Sequence, residues 1–388
     1  MTEPTTSEAM HAPERVAPRL LYVVTEDWYF LSHRLPMARA AAAAGFEVHV
    51  ATNVGQDAKG IEQEGFILHP VRFGRGRLSP WRLLRTILAL REIYRAVDPA
   101  VVHYVAMQPT ILGTMSSWRH RFATVYAITG RGHVFVGDTV AARALRHAIL
   151  LMLRFGLNRR RAVGLVQNPD DRAFLTGLGV RPEHVELIAG SGIDVERFQP
   201  LPEPDGPVTI AFVGRMLAEK GVRALVEAHR LLRAAHDSCE LLLAGAPDPA
   251  NPSSIAAAEV AQWGREPGVT WLGHVTDIAA VWRRSHIAVL PSHGEGLPKS
   301  LLEAAASGRP MIATDVPGCR EIVIHEETGL LVPVDDPPAL AAAIRRLANS
   351  PPERKRFGAA ARRLAEERFS AGLVGNRTAA LYRGLLKK

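Results

Sequence analysis

One continuous stretch, Pro291 to Gly318 (PSHGEGLPKSLLEAAASGRPMIATDVPG), constrains the fold more than any other part of this chain. The apolar run Ile287 to Leu290 comes just before it and is typical of a buried parallel strand. The glycines in His293 to Gly296 allow a sharp turn and a close approach to a ligand. Lys299 to Ala306 are good helix formers, and Met311 to Thr314 predict the next strand. A strand, turn, helix and strand in this order form the repeating unit of a parallel α/β sheet.

This turn also predicts an anion site. Unpaired backbone N–H groups at a helix start attract a negative group. Here they lie around Gly296, Leu297 and Pro298, where the proline itself has no N–H to contribute. Glu295 lies before the helix and Glu303 within it, with seven residues between them. Either glutamate alone is explained more simply as a helix-start charge or a solvated side chain. Together in this setting they predict a site for a phosphorylated sugar or nucleotide.

A second predicted strand, Val208 to Val213, ends in Gly214 and Arg215, and Lys220 follows just before a predicted helix. An arginine in the turn and a lysine at the next helix start can converge on one anion. A structural surface pair is the simpler explanation of the Gly-Arg step taken alone.

The Glu-x7-Glu pattern resembles the signature of the retaining glycosyltransferases of family four. Four further strings resemble the branch of that family that acts in capsule and O-antigen synthesis, so that the likeness extends over nearly the whole chain after Pro18. They are DWYFLSHRLPMARAAAAAGFEVHVAT from Asp27, YAITGRGHVFVG from Tyr126, LVQNPDDRAFL from Leu165 and IAGSGIDVERF from Ile188.

The resemblance implies an α/β fold of two Rossmann-like, doubly wound domains that face each other across a cleft, the GT-B architecture. It assigns Arg215 and Lys220 to the donor diphosphate, Glu295 to hydroxyls of the transferred sugar and Glu303 to the ribose. These implied catalytic and donor-binding positions are completed by Gly214, the Gly273-His274 step beside the base, Gly296, Leu297 and Pro298. The family retains anomeric configuration and needs neither a metal nor a separate cofactor.

For the acceptor side we expect the glycine-rich turn that contains Thr129, Gly130 and His133, because the carboxyl ends of strands hold ligands in such sheets. Many relatives carry a histidine at the end of the matching strand, whereas this chain has Thr129-Gly130 there. His133 is either a substitute for that histidine or a loop residue without a chemical role. His33 and His103 also lie near predicted strand ends and are weaker candidates.

The predicted domains follow from composition and from the resemblance. Residues 1–18 lack the basic start and apolar core of a signal peptide and predict a disordered tail. The first domain is expected over residues 19–199 and the second over 206–368, with the proline-rich stretch Pro200 to Pro204 as a linker. A final helix over residues 369–388 is expected to pack back on the first domain.

Positive charge is concentrated in the first half. Between Pro70 and Leu165 the chain has sixteen Arg, no Lys and three acidic residues. Such a region implies an anionic partner, which can be nucleic acid, an acidic membrane surface or a phosphate-bearing substrate.

The segment Ala142 to Val163 contains too few consecutive apolar residues to span a bilayer. Its pattern fits either an amphipathic helix in the membrane interface or a helix that faces the core, with its arginines in solvent. The two cysteines, Cys239 and Cys319, show no metal spacing and suit a reducing compartment.

The resemblance therefore implies a metal-independent, retaining hexosyltransferase on the inner face of the plasma membrane. Its expected partners are a UDP-linked nucleotide sugar, a polyprenyl-diphosphate-linked sugar or glycan acceptor and acidic lipid, with no nucleic acid. Two alternatives stay open at this point. One is a nucleotide-sugar epimerase of the same fold, and the other is a nucleic-acid-binding protein that uses the arginine-rich region.

Overall fold

The computed structural model describes residues 17–74, 79–118, 120–128 and 139–387 of this chain. The predicted N-terminal tail lies almost entirely outside these residues. Among the helices in the described part, none combines the length and the apolar character that a membrane crossing requires.

The first half of the chain builds a sheet of seven parallel strands with the order β3-β2-β1-β4-β5-β6-β7. Its elements are β1 (Arg19–Glu26), α1 (Asp27–His33), α2 (Leu35–Ala43), β2 (Glu47–Asn53), α3 (Ala58–Gln63), β3 (Ile67–Pro70), α4 (Pro80–Val97), β4 (Val101–Val105), α5 (Met107–Ser116), β5 (Ala123–Ala127), α6 (Val140–Leu157), β6 (Ala162–Val166), α7 (Pro169–Gly177) and β7 (Val185–Leu187). The strands β4, β5 and β6 have five residues each, and all of them are buried, because helices cover both faces of a parallel sheet.

The second half builds a sheet of six parallel strands with the order β10-β9-β8-β11-β12-β13. Its elements are β8 (Val208–Val213), α8 (Val222–Ala234), β9 (Cys239–Ala244), α9 (Ala257–Trp263), β10 (Val269–Gly273), α10 (Ile278–Arg283), β11 (Ile287–Leu290), α11 (Lys299–Ala306), β12 (Met311–Thr314), β13 (Gly329–Val332), α12 (Pro337–Ala348), α13 (Pro351–Phe369) and α14 (Ala371–Leu386). The strand–turn–helix–strand unit predicted from residues 287–314 is present with the predicted bounds.

Separate hydrophobic cores lie on the two faces of the first sheet. One face packs against α1, α2 and α14, through residues that include Phe30, Met37 and Tyr382. The opposite face packs against α4, α5 and α6 through Leu90, Leu112 and Leu153. The last helix of the chain therefore lies against α2 of the first half, although its sequence follows the second sheet.

Two details differ from the sequence-based expectation. The residues Thr25 to Phe30 follow the apolar run Arg19 to Val24, and their sequence predicts a loop. In the structure Thr25 and Glu26 continue β1, and Asp27 to Phe30 open the helix α1. Within the segment before the predicted linker, Ala189, Ile193 and Phe198 pack in the core of the second sheet. Apolar packing therefore crosses the predicted boundary at residues 200–205, and the boundary itself stays a prediction.

Candidate active site

The candidate site lies at the carboxyl edge of the second sheet, between β8 and β11. Chain connections diverge at this point, since β8 leads to β9 on one side and β11 leads to β12 on the other. A sheet of this type opens a crevice at such a switch point, where loops separate instead of covering the strand ends. Arg215 and Lys220 follow β8, and Glu295 follows β11. The topology thus brings two segments together that are about 75 residues apart in sequence.

Backbone contacts fix the two loops against each other. The N–H of His293 donates to the carbonyl of Glu219 at 2.9 Å, and the Ser292 hydroxyl donates to the same carbonyl at 3.1 Å. Gly221 has φ +68°, and a Cβ at this position would lie 1.9 Å from the carbonyl oxygen of Pro291. The close approach of the two loops therefore requires glycine here. Lys220 itself ends a short 3-10 turn, Ala218–Lys220, directly before α8.

Lys220 and Glu295 form an ion pair at the centre of this site. The ammonium Nζ donates to Glu295 Oε1 at 2.5 Å, and the side chains are 20% and 11% exposed. A charge-assisted hydrogen bond in such a sheltered place fixes the direction of the ammonium group. One carboxylate leaves the remaining ammonium protons of Lys220 available for a second anion.

Glu303 lies just over one turn into α11 and is almost fully enclosed, with 7% of its surface exposed. Burial raises the pKa of Glu303 to about 7, and the nearby ammonium of Lys299, at 3.7 Å, opposes this shift only in part. The two predicted carboxylates therefore differ in their surroundings. Glu295 is paired with a cation in a cleft, whereas Glu303 is a buried carboxyl group that releases its proton only near neutral pH.

Arg215 lies on the same cleft but is held differently. Its guanidinium donates to Asp248 Oδ2 at 3.0 Å and is about half exposed. Arg215 and Lys299 are both close enough to His33 to lower the pKa of that imidazole, after the larger effect of burial. Two cationic groups of the second half of the chain therefore lie near His33 of the first half.

The other predicted donor-site residues lie on the same edge of the sheet. Gly214 follows β8 and donates its N–H to the carbonyl of Ala244, at the end of β9. Gly273 ends β10, and His274 after it is exposed. Leu297 is partly exposed, whereas Gly296 and Pro298 are buried, and Pro298 is the N-cap of α11.

Three contacts join the first half of the chain to this site. Asn168, the N-cap of α7, donates from Nδ2 to the carbonyl oxygen of Gly296 at 2.8 Å. Lys299 donates from Nζ to the carbonyl of Ser32 at 2.8 Å. Arg320 lies 3.7 Å from Asp170, in an exposed and therefore weak ion pair. The loop that carries Glu295 is thus held from both sides of the cleft.

The first sheet has its own switch point between β1 and β4, on the opposite wall of the cleft. Ser32 and His33 end α1, which follows β1. Ala106 follows β4 with φ 72° and ψ 170°, a conformation that costs a residue with a Cβ on the order of 1–3 kcal/mol. The acceptor-side positions predicted from sequence, Thr129, Gly130 and His133, lie outside the described residues.

Sequence reasoning did not find several residues that shape this site. Asn168 and Gly296 are 128 positions apart, and no local pattern links them. Lys299 could have been found, because it precedes Glu303 by one helical turn and such pairs interact. The chemistry available here is the binding of an anion by Lys220, Arg215 and Lys299, with Glu303 as a hydrogen-bonding partner for a neutral polar group.

Comparison with solved structures defines the class of fold. Sucrose-phosphate synthase from Thermosynechococcus elongatus superposes with a TM-score of 0.78 at 22% identity, over 95% of this chain and 99% of that one. HepE of Anabaena, solved in complex with UDP and glucose, superposes with a TM-score of 0.72 at 16% identity, over 93% and 98% of the two chains. The predicted architecture is confirmed, since two doubly wound α/β sheets of this kind constitute the GT-B fold.

Two family models match the chain, one on each sheet. The model for "Glycosyl transferase 4-like" proteins matches residues 19–167, and the model for "Glycosyl transferases group 1" matches residues 207–350. The two models together match about three quarters of the chain. The chain belongs to the glycosyltransferases that these two models describe, as the resemblance predicted.

Two of its relatives carry more specific names. The capsular polysaccharide biosynthesis glycosyltransferase CapM of Staphylococcus aureus is 23% identical over 88% of this chain and 91% of its own length. The N,N'-diacetylbacillosaminyl-diphospho-undecaprenol alpha-1,3-N-acetylgalactosaminyltransferase of Campylobacter jejuni is 25% identical over 78% of this chain and 84% of its own length.

Proposed function

We propose that this glycosyltransferase moves a hexose or N-acetylhexosamine from a UDP-linked sugar to a lipid-diphosphate-linked or glycan acceptor in cell-surface polysaccharide synthesis, with retention of anomeric configuration. The observation that carries the donor assignment is the meeting of Lys220, Glu295 and the start of α11 at the switch point between β8 and β11. The names of the relatives, and of a structural neighbour solved with UDP, support the sugar and nucleotide classes.

Charge development explains why cations belong in this place. Cleavage of the bond between sugar and diphosphate leaves negative charge on the departing nucleoside diphosphate, and cations fixed in advance lower the barrier. Lys220, Arg215 and Lys299 are such groups, and each is already oriented by a protein acceptor. In this proposal Glu295 holds Lys220 and contacts hydroxyls of the transferred sugar, while Glu303 contacts the ribose.

A cavity in the first half of the chain supports an anionic acceptor. Its volume is about 650 Å³, and it lies at the carboxyl ends of β2 and β3, beside the first turns of α4. Arg72, Arg82 and Arg85 line it. Three guanidinium groups around one cavity suit a diphosphate, which they can bind through several N–H donors. We assign this cavity to the diphosphate of a lipid-linked acceptor.

Ligand-dependent stabilisation tests the donor assignment. A nucleotide sugar that binds the folded state raises the thermal midpoint. We expect UDP-linked hexoses to do so in a panel of nucleotide sugars, and we expect Lys220→Ala or Arg215→Ala to reduce turnover at least tenfold in a folded protein. Arg345→Ala is the matched control, because Arg345 is an exposed arginine paired with Asp237 at 2.8 Å on another part of the same domain.

The outcomes separate the proposal from its alternatives. Wild-type turnover in both the Lys220 and the Arg215 variant would remove the diphosphate assignment. Conversion of a nucleotide sugar in the absence of any acceptor would indicate an epimerase. A salt-sensitive gel shift with DNA or RNA, without stabilisation by any nucleotide sugar, would favour a nucleic-acid-binding function.

A further inference from the structure

Exposed apolar side chains are concentrated on one layer of helices. Fifteen large hydrophobic residues of the described chain are exposed, and nine of them lie between residues 81 and 155, on or next to α4, α5 and α6. Six define what we call the outer face of this layer: Trp81, Leu84, Leu88, Trp118, Leu151 and Phe155. Trp81 and Trp118 are both 74% exposed and Phe155 is 67% exposed. A group of exposed apolar side chains on one layer of helices indicates an interaction site.

The helices carry this face in addition to a normal buried one. Ile87 and Leu90 of α4 and Leu153 of α6 pack into the core beneath the first sheet. On the opposite side of α4, Trp81, Leu84 and Leu88 are spaced by three and four residues, which aligns them in one stripe. Arg91 and Arg95 continue the same spacing and are exposed. The apolar stripe therefore runs directly into cationic side chains.

Positive charge on this layer has no matching negative charge among the described residues of its helices. Together α4 and α6 contain seven arginines and one acidic residue, Glu92. None of these arginines forms an ion pair with a carboxylate in the part of the chain that the structure describes. By contrast, Arg223, Arg230 and Arg346 in the second half pair with Glu259, Glu266 and Glu326. The cations of the outer face are thus available to a partner.

A groove between α5 and α6 adds depth to the outer face. Its volume is about 590 Å³, and it is lined mainly by the apolar side chains Met115, Trp118, Met152 and Phe155. Arg159 lies at its rim. An apolar groove with a cation at the edge matches the arrangement of a lipid, in which an apolar chain is joined to an anionic headgroup.

We propose that the outer face of α4, α5 and α6 docks on the surface of a lipid bilayer that contains anionic lipids. The exposed tryptophans and Phe155 enter the interfacial region, where aromatic side chains are favoured. The arginines contact lipid phosphates, and each contributes attraction to an acidic surface. The docking surface adds a membrane partner to the proposed function. It rests on that function only for the reason why the protein would dock, which is access to a lipid-linked acceptor.

Charge decides between a bilayer and a second copy of the chain. If the outer faces of two molecules met, Arg91 and Arg95, which continue the apolar stripe of α4, would oppose the arginines of the same face in the other copy. Unpaired like charges at a desolvated contact are strongly unfavourable. An anionic bilayer instead offers negative charge to the arginines and an apolar interior to the tryptophans. Nucleic acid would satisfy the arginines, but its phosphate backbone offers nothing comparable to the aliphatic residues Leu84, Leu88 and Leu151.

Vesicle binding of the full-length protein tests this inference without any turnover measurement. We expect co-sedimentation with phosphatidylcholine vesicles in which part of the lipid is phosphatidylglycerol, much weaker binding to pure phosphatidylcholine, and weaker binding as salt is added. Tryptophan fluorescence of the wild type should shift to the blue and be quenched by brominated lipids. Both changes should be much smaller in a Trp81→Phe, Trp118→Phe variant, which keeps the other four of the six tryptophans. These measurements are independent of the donor site, so a failure of docking and a failure of the transferase assignment are distinguishable.

Two pairs of variants with matched controls locate the binding surface. Arg91→Gln with Arg95→Gln should lower the partition coefficient on anionic vesicles about tenfold or more. Trp81→Ser with Phe155→Ser should lower it by a similar factor. The controls are Arg265→Gln with Arg284→Gln, and Leu231→Ser with Val334→Ser, which change exposed residues of the second half. Circular dichroism and the thermal midpoint show whether each variant folds.

Four results would overturn the inference. They are a lack of binding to anionic vesicles at low salt, equal losses in the outer-face variants and in their controls, a self-associated form that the outer-face variants dissociate, and a nucleic-acid complex that they abolish. Binding that occurs only when a polyprenyl diphosphate is present would instead indicate recognition of the acceptor alone, and it would also contradict docking on the bilayer.

Discussion

Asn168 and Gly296 meet across the cleft, where the side-chain Nδ2 of the first donates to the backbone carbonyl of the second at 2.8 Å. The opposite atom of the same amide, Oδ1, accepts the N–H of Asp171 and caps α7. Both bonds require this orientation of the amide, because a backbone N–H needs an acceptor and a carbonyl needs a donor. One buried side chain therefore caps the start of a helix of the first half and contacts the loop that carries Glu295 in the second.

The two roles of Asn168 can be separated by substitution. Serine is a good N-cap, but its side chain is too short to hold the carbonyl of Gly296. We expect Asn168→Ser to reduce turnover about tenfold, because Glu295 and the start of α11 lose a restraint. It should also cost about 1–3 kcal/mol of stability, because the buried carbonyl of Gly296 loses its donor. Asn168→Ala should show the same loss of turnover and an additional cost of about 1 kcal/mol, measured by urea denaturation. Equal turnover in wild type and Asn168→Ser would show that the contact does not position the loop.

Lys220 and Glu295 should act as a unit. Loss of either partner leaves the other sheltered and unpaired, so we expect Lys220→Met and Glu295→Gln each to reduce turnover at least tenfold. The double variant should be no worse than the more damaging single variant, because residues of one unit are not additive. Steady-state kinetics of the four proteins give this coupling, and the exposed pair Arg345 and Asp237 provides a control cycle. If the two effects simply multiplied, the residues would act independently.

Elements with a clear local signal could be predicted from the sequence. The bounds of β8, β11 and α11 agree with the prediction, because continuous apolar runs mark the two strands and a proline marks the start of the helix. The helix α1 was not predicted, because DWYFLSH has no apolar period and its aromatic residues are not strong helix formers. Its helical state depends on packing, with Phe30 buried against Tyr22 and Phe66.

The site was only partly accessible to sequence reasoning. A strand end followed by a glycine-bearing turn indicates where a ligand binds, so Lys220 and Glu295 could be placed on the same edge of a sheet. Their direct pairing depends on the order of strands, which sequence alone does not give. The contribution of Asn168 depends on how two domains face each other, and this is decided by surfaces that are not adjacent in sequence.

Gly318 is predicted to be essential for the shape of the donor loop. It has φ +81°, and a Cβ there would lie 2.5 Å from the carbonyl oxygen of Gly296 and 2.6 Å from that of Glu295. Gly318→Ala should therefore displace the loop and reduce nucleotide affinity, measured by calorimetric titration. Gly65→Ala is the matched control, because Gly65 has φ +77° with no atom within 4 Å of the added Cβ. Both variants carry the backbone cost of about 1–2 kcal/mol, and only Gly318→Ala should affect the ligand. Equal nucleotide affinity in the two variants would contradict the steric argument.

Glu303 should give the protein a recognisable dependence of stability on pH. Its ordinary pKa of 4.5 applies to the unfolded chain, whereas burial raises the pKa to about 7 in the folded protein. Between these values the folded state binds the proton and the unfolded state does not, so the free energy of unfolding falls as pH rises, by about 3 kcal/mol at most, and levels off above the folded pKa. His33, whose pKa is lowered chiefly by burial, contributes a slope of the opposite sign below its ordinary pKa of 6.5.

Urea denaturation of wild type and Glu303→Gln over a range of pH measures this effect, because the difference between their free energies of unfolding isolates the contribution of Glu303. Glu367→Gln on the exposed side of α13 is the control. A difference curve that is flat from pH 4.5 to 8 would show that Glu303 is ionised in the folded protein throughout this range.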